Sequence, residues 1–349
     1  MRSGHMMKGY SMRKISRLLV LLLVISACAP NARGEINRTD LVLGTVCTLR
    51  LVDGGSNRTA DEIFKRLKAI EDTMSANKDG TQIAEINAHA GKDAVKIGAD
   101  TMFVLQKALE YARKTEGALD PSIGPLVKLW NIGTDDARIP GKEEIRSTLS
   151  LIDYRKVQIN PTALTVRLPL PGMKLDLGAI AKGYAADEIA RILEKHRVRA
   201  AVVDLGGNVL VFGKKKDGSP WRVGVQDPSS DRGEYIGLVA GEAMTVVTSG
   251  IYERFFIEDG VRYHHLLDPK TGFPAKNNLV SVTIIASSSI DADALSTSAF
   301  ILGLEKGMKL VEGIPDVGAV FIDLEKRVYL SSRAKKIFTL TNKGYTMAE

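Results

Sequence analysis

Apolar positions change period several times along the chain. The stretch TVCTLRL, residues 45–51, alternates apolar and polar and predicts a strand. It is reached through Leu41-Val42-Leu43 and a break at Gly44. Ile63, Phe64, Leu67, Ile70 and Met74 then recur at helical spacing and predict a helix over 59–74. A second helical pattern covers 100–114 and stops at Gly117. Further on, strand-like runs occupy 200–204, 209–212, 221–226, 244–248 and 279–286, interrupted by helical patterns over 180–196 and 293–302. Strands and helices in this mixed, non-alternating order predict the α+β class. There is no internal repeat and no low-complexity tract.

The N-terminus follows another rule. Leu18 to Ile25 is unbroken apolar sequence, preceded by Arg13, Lys14 and Arg17 and followed by Ser26, Ala27 and Cys28. A bilayer span needs about 20 apolar residues, so this run is the core of a secretory signal peptide over 1–27. Residues 1–11 read as an extension upstream of a start at Met12. Ile25-Ser26-Ala27-Cys28 resembles the bacterial lipobox, which makes Cys28 the lipidated first residue of the mature chain. Residues 28–38, polar with Pro and Gly, are then expected to be a tether, and 39–349 the functional domain. The expected location is the bacterial envelope, lipid-anchored to a membrane and facing the periplasm.

Composition narrows the function classes. With 349 residues, 44% hydrophobic and 26% charged, the chain can bury a large core and reads as ordinary globular protein. Its formal charge is +7, but residues 1–27 hold five basic and no acidic side chains, leaving +2 on the mature chain. No basic stripe interleaved with aromatics remains, which excludes nucleic acid as a partner. Lys214-Lys215-Lys216 beside Asp217-Gly218 reads as an exposed hairpin tip. With Cys28 lipidated, Cys47 is the one other cysteine. It forms no intramolecular disulfide, is no zinc site, and reads as a small buried hydrophobe.

Four segments carry candidate chemistry. In DADALSTSAFILG, 291–303, Asp293 and Thr297 fall four apart, so a helix presents both oxygens from one face. That arrangement suits a hard cation such as Mg²⁺; equally, Asp291 or Asp293 serves as an N-cap and Thr297 back-bonds within the helix. In LDLGAIAKGYAADEIARIL, from Leu175, a strand ends at Asp176 and a Gly-containing turn leads into a helix near Ile180. Free N–H groups there can hold an anion, and Lys182 in the first turn either meets a ligand's negative group or is a solvated surface lysine. In RYHHLLDPKTGFP, 262–274, His264 and His265 point to opposite sides of a strand, so at most one serves a given site as general base; the alternative is a hydrogen-bonded structural histidine. GALDPSIGPLVKLWNIG, from Gly117, is a Pro/Gly-shaped loop able to lie against a ring or ribose. Walker A, dinucleotide, Ser-His-Asp, HExxH and CxxC patterns are absent.

Together with LGT (43–45), MSAN (74–77), DLGGNVLVFG (204–213) and TSGIYERFF (248–256), these segments resemble the ApbE family, the FAD:protein FMN transferases of bacterial envelopes. The resemblance runs over roughly 41–338. It implies an α+β fold with a mixed-sheet, T-fold-like core, two lobes, and the flavin nucleotide site between them. It further implies Mg²⁺-dependent transfer of FMN from FAD to a Thr or Ser hydroxyl of a partner protein, releasing AMP. By position the metal ligands would be Asp293, Thr297 and the carbonyl of Ala179, with Ser296 less direct. His265 would be the base. FAD contacts would be Leu43, Asn77, Ala118, Leu119, Asp120, Asp176, Lys182 and Leu267, with Ser249-Gly250 nearby. Asn77 departs from the tyrosine usual in the family and cannot supply its planar apolar contact. This makes hydrolysis of FAD to FMN and AMP an alternative or second activity. A non-catalytic FAD-binding lipoprotein is a further alternative. The chain lacks Ser/Thr-Gly-Ala-Thr, so the acceptor is expected to be a separate envelope protein.

Overall fold

Nine strands form one sheet whose spatial order follows the chain in this computed structural model, which describes residues 35–348. They are Ile36–Val42, Thr45–Asp53, Ala200–Leu205, Asn208–Gly213, Met244–Gly250, Leu279–Ala286, Gly318–Asp323, Arg327–Leu330 and Thr346–Met347. Every neighbouring pair is antiparallel except the last, which is parallel. Everything else is inserted between strands of this meander. The longest insertion carries α1 (Asn57–Met74), α2 (Gln82–Ala88), α3 (Ala99–Lys114), α4 (Gly124–Trp130), α5 (Lys142–Leu149) and α6 (Ala181–Lys195). The helix α7 (Ser289–Glu312) leaves the Leu279–Ala286 strand and leads to Gly318–Asp323.

Alternation along the strands sorts side chains into two cores. Cys47, Leu49, Leu51, Val247, Val282, Ile284 and Phe321 face the helices, where they meet Ile63, Leu67, Ile70 and Leu295. Val211, Val246, Ile285, Val320 and Ile322 face the other way, against a three-stranded sheet of Trp221–Gln226, Tyr235–Gly241 and Phe338–Leu340. Coverage on both faces explains why Leu279–Ala286 is almost wholly apolar. Both layers share this one sheet within a single compact unit, Glu35–Glu349, in keeping with the expected mixed-sheet α+β core.

Several expectations are corrected. Ile36, Asn37 and Arg38, read as the end of a tether, already pair with Leu51, Arg50 and Leu49 as the sheet's first strand. The signal peptide, Cys28 and the rest of the tether up to Gly34 lie outside the described residues. Lys214 and Lys216 are exposed and Lys215 lies half-buried over Trp221, but the three link the large sheet to the small one instead of capping a hairpin. The helix expected over 293–302 begins at Ser289, capped by Ser288, whose hydroxyl accepts from the Asp291 N–H at 3.4 Å. The Asp187 carboxylate takes the next two free N–H groups, of Ser289 at 2.8 Å and Ile290 at 3.0 Å. Neither Asp291 nor Asp293 is therefore the cap. Cys47 is buried, and burial pushes its thiol up to about 11.

Candidate functional site

The site is built where α6 touches α7. At Gly183 a Cβ would lie 2.2 Å from the Ser289 carbonyl oxygen, so only glycine permits this approach. Contact this close lets the Gly183 N–H donate to Asp293 Oδ2 at 2.8 Å. Gly183 is the third residue of α6, so its N–H is one of the first-turn groups that find no acceptor within the helix, and Asp293 satisfies it from α7. Lys182 Nζ stands 4.0 Å from Asp293 Oδ1 and donates to the Gly178 carbonyl at 3.3 Å. From the sheet, Ser249 Oγ lies 2.9 Å from Ser296 Oγ and 3.2 Å from Thr297 Oγ1. Ser296 also donates to the Asp293 carbonyl at 3.0 Å. Thus Lys182, Asp293, Ser296 and Thr297 come together, Ser249 joins them, and Ala179 lies in the turn that leads into α6.

The donor set is chemically specific. Among the described residues no three His, Cys, Asp or Glu side chains cluster as a metal site. A cation here would be held by one carboxylate with hydroxyl and carbonyl oxygens, a set that fits Mg²⁺ and its retained waters. Asn208 adds a second sign of a polar ligand. It pairs with Val247 on the helix-facing side of the sheet, two residues before Ser249, and is 1% exposed with neither amide atom hydrogen-bonded. Buried amides are costly without partners. Sequence reading passed over Asn208; its signal was the tight Gly206-Gly207 turn before it, with both φ values positive.

A second wall comes from loops. Asp120 Oδ1 accepts from the Ser122 N–H at 2.8 Å and its hydroxyl at 2.6 Å, and Oδ2 accepts from the Tyr154 N–H at 3.0 Å. Burial nevertheless pushes this carboxyl above the usual range. Its side chain is committed to shaping the loop, and Ala118 and Leu119 are buried beside it. The Asp176 N–H donates to the Pro121 carbonyl at 2.8 Å, tying that loop to the turn before α6. Asp176 Oδ1 accepts the Gly178 N–H at 2.7 Å, and burial raises its pKa against the lowering pull of Gly178, Arg254 and Lys182. Leu267 buries its side chain with Leu126, Trp130 and Ile145. Leu43 and Gly44 turn the first hairpin with φ of 57° and 66°. A left-handed leucine is strained, as functional backbone often is. Asn77 is exposed.

His265 follows the strand Val261–His264, and both its N–H and ring Nδ1 bond the Arg254 carbonyl, at 3.1 and 3.2 Å. A carbonyl only accepts, so Nδ1 carries the proton and Nε2 keeps its lone pair. Burial and the nearby Arg254 charge lower this imidazole to about 4. His264 points the other way, buried edge-on against Phe300 at 5.7 Å. The expected opposition of the two histidines is what the backbone produces. Arg254, whose guanidinium reaches the Gly44 carbonyl at 3.4 Å, was not among the expected site residues.

The sequence model of the ApbE family matches residues 43–321. The chain belongs to the ApbE family. The FAD:protein FMN transferase of Treponema pallidum (strain Nichols) is 41% identical over 340 residues, covering 91% of this chain and 93% of that protein. That of Klebsiella pneumoniae (strain 342) is 37% identical over 83% of this chain and 90% of its own. The crystal structure of the ApbE protein from Thermotoga maritima superposes with a TM-score of 0.80 at 33% identity, over 87% of this chain and 99% of that one. The flavin transferase ApbE from Vibrio cholerae gives 0.77 at 28%, with the same coverage.

Within the ApbE fold the α6–α7 contact is testable by itself. Gly183→Ala places a methyl against backbone, and overpacking of this kind costs about 1–3 kcal/mol. A fall in melting temperature of several degrees is expected, because about 1 kcal/mol moves a large domain by roughly 2–4 °C. A scan that left the melting temperature unchanged would show the contact to be slack.

Proposed function

We propose that this chain transfers FMN from FAD to a Thr or Ser hydroxyl of a separate envelope protein, releasing AMP. The observation that carries the reading is the junction of Asp293 with the first turn of α6, which brings a carboxylate beside a helix N-terminus whose own N-cap residue, Ile180, makes no capping bond, with the hydroxyls of Ser249, Ser296 and Thr297 near by. That helix end and Lys182 suit the pyrophosphate of FAD. Asp293, Thr297 and the Ala179 carbonyl would hold Mg²⁺, which when bound supplies charge neutralisation for the phosphates. The Ala118–Asp120 loop, Asp176, Leu267 and the Leu43–Gly44 turn would orient the flavin nucleotide, largely through backbone. His265 Nε2 would take the proton of the attacking hydroxyl, since its partner nitrogen is already tied to Arg254. We further propose export through the 1–27 leader and anchoring by lipid on Cys28, facing the periplasm.

One observation favours a second activity. Asn77 is exposed where an aromatic ring would stack on the flavin, so water has an easier approach and FAD hydrolysis competes with transfer. The test is to incubate the chain from Ala29 onward with FAD and Mg²⁺, with and without a Thr-bearing acceptor peptide, and to quantify AMP, FMN and labelled peptide. AMP with labelled peptide is expected. Bound FAD without AMP would leave only a flavin-binding lipoprotein. Asn77→Tyr should tighten FAD binding by about 2- to 12-fold, the effect of an aromatic contact of about 0.5–1.5 kcal/mol, and raise the ratio of labelled peptide to free FMN. An unchanged ratio would disconnect residue 77 from water access.

A further inference from the structure

Arg254 lies in the sequence just after the Met244–Gly250 strand, is exposed, and combines three features. First, among the described residues no carboxylate stands within salt-bridge distance of its charge. The adjacent Glu253 is turned away and pairs with Arg232 at 2.7 Å. The half-buried Arg66, by contrast, is neutralised by Asp100 at 2.5 Å and Glu188 at 2.6 Å. Second, the side chain is held in place by backbone. Its stem passes Gly133, where an added Cβ would lie 3.3 Å from Arg254 Cδ, and its head donates to the Gly44 carbonyl at 3.4 Å. One donor group of the fork is engaged there, leaving most of the five N–H groups for a ligand. Third, the carbonyl of the same residue accepts both the backbone N–H and Nδ1 of His265. The base is therefore anchored to the backbone of the residue whose side chain carries the guanidinium. The positive charge is also felt at Asp176 and at His265, where it favours the carboxylate and the neutral imidazole.

We propose that Arg254 is a catalytic residue of the transfer step: its guanidinium holds a non-bridging oxygen of the phosphoryl group in transit while His265 receives the acceptor's proton. The inference rests on the transferase reading. In the step, the acceptor hydroxyl oxygen forms a bond to the phosphorus on the FMN side, and the bond from that phosphorus to the bridging oxygen breaks. The bridging oxygen leaves on AMP with the electron pair, and the hydroxyl proton passes to His265 Nε2. Charge grows on the phosphoryl oxygens and the bridging oxygen, where a planar, permanently charged fork is effective. Lys182, beside Asp293 and Gly178, supplies the other cation of the site.

The experiment compares Arg254→Ala and Arg254→Lys with the parent in AMP release and peptide labelling, alongside FAD affinity by flavin fluorescence and the melting temperature. Removal of one preorganised charge donor typically costs 10²–10³ in kcat, so a loss of about 10²-fold or more is expected for alanine and a smaller one for lysine. FAD affinity should change less than about threefold, and added guanidinium at millimolar concentration should restore part of the alanine variant's rate but not speed the parent. Parent-like kcat in Arg254→Ala, or a defect confined to FAD affinity, would overturn the proposal. AMP release by the parent without labelled peptide would overturn the transferase reading alone. The same Arg254 comparison, made on AMP release, would then still decide whether the guanidinium acts on the phosphoryl group.

Discussion

Asp293→Ala is expected to lower Mg²⁺-dependent turnover of FAD by about 10³-fold, the equivalent of about 4 kcal/mol of lost charge stabilisation. The carboxylate has two tasks in the structure. Oδ2 holds the first turn of α6 through the Gly183 N–H, and Oδ1 faces Lys182. Alanine removes both and leaves a buried N–H without an acceptor, which costs about 1–3 kcal/mol of stability. Asp293→Asn separates the tasks. Its carbonyl can still accept from Gly183, while its neutral amide cannot neutralise a cation, so a parent-like melting temperature with alanine-like turnover is expected. Titration of Mg²⁺ binding by calorimetry gives a readout free of turnover. Both variants should lose the heat of binding that the parent shows, and chelation of the parent with EDTA should reproduce their rates. Full turnover in Asp293→Asn would remove Asp293 from the metal site.

His265→Ala should cost about 10²- to 10⁴-fold in FMN transfer, the usual weight of a general base. The direction of its pH dependence follows from geometry. Burial lowers the imidazole to about 4, so the free enzyme carries it neutral, with Nε2 able to accept, at all pH values above that. Activity as kcat/KM should therefore stay level from neutrality toward pH 5 and decline as pH approaches about 4, where protonation removes the lone pair. The same limb in kcat should lie at higher pH, because a bound polyanion favours the imidazolium. His265→Ala should lose the limb as well as the rate. His264→Ala should leave the limb in place and act on stability, since that ring packs against Phe300 away from the site. An acid limb surviving in His265→Ala would assign the base elsewhere.

Local spacing made much of this molecule legible. The α1 stripe from Ile63 to Met74 is buried as its periodicity requires, and Leu279–Ala286 has the predicted bounds. Both patterns are carried by residues within one element, where backbone geometry alone sets which side chains share a face. Strands such as Gly318–Asp323 and Tyr235–Gly241 were missed. The first is buried on both faces, so its burial has no alternation to detect, and the second is glycine-rich. The start of α7 was misplaced because its N–H groups are satisfied by Asp187, from a helix 102 residues earlier in sequence.

Residue chemistry by itself therefore determined the element types, the four chemical segments, and the opposed directions of His264 and His265, for each depends on neighbours in the chain. The site depended on the fold. Gly183 and Asp293 are 110 residues apart, Ser249 and Thr297 are 48 apart, and the guanidinium of Arg254 meets a carbonyl 210 residues away. No local pattern encodes such distances. The first follows from α6 and α7 packing on one face of a common sheet, closely enough at one glycine for a backbone N–H on one helix to bond a carboxylate on the other, the second from α7 lying on the Met244–Gly250 strand, and the third from a loop meeting the first hairpin turn.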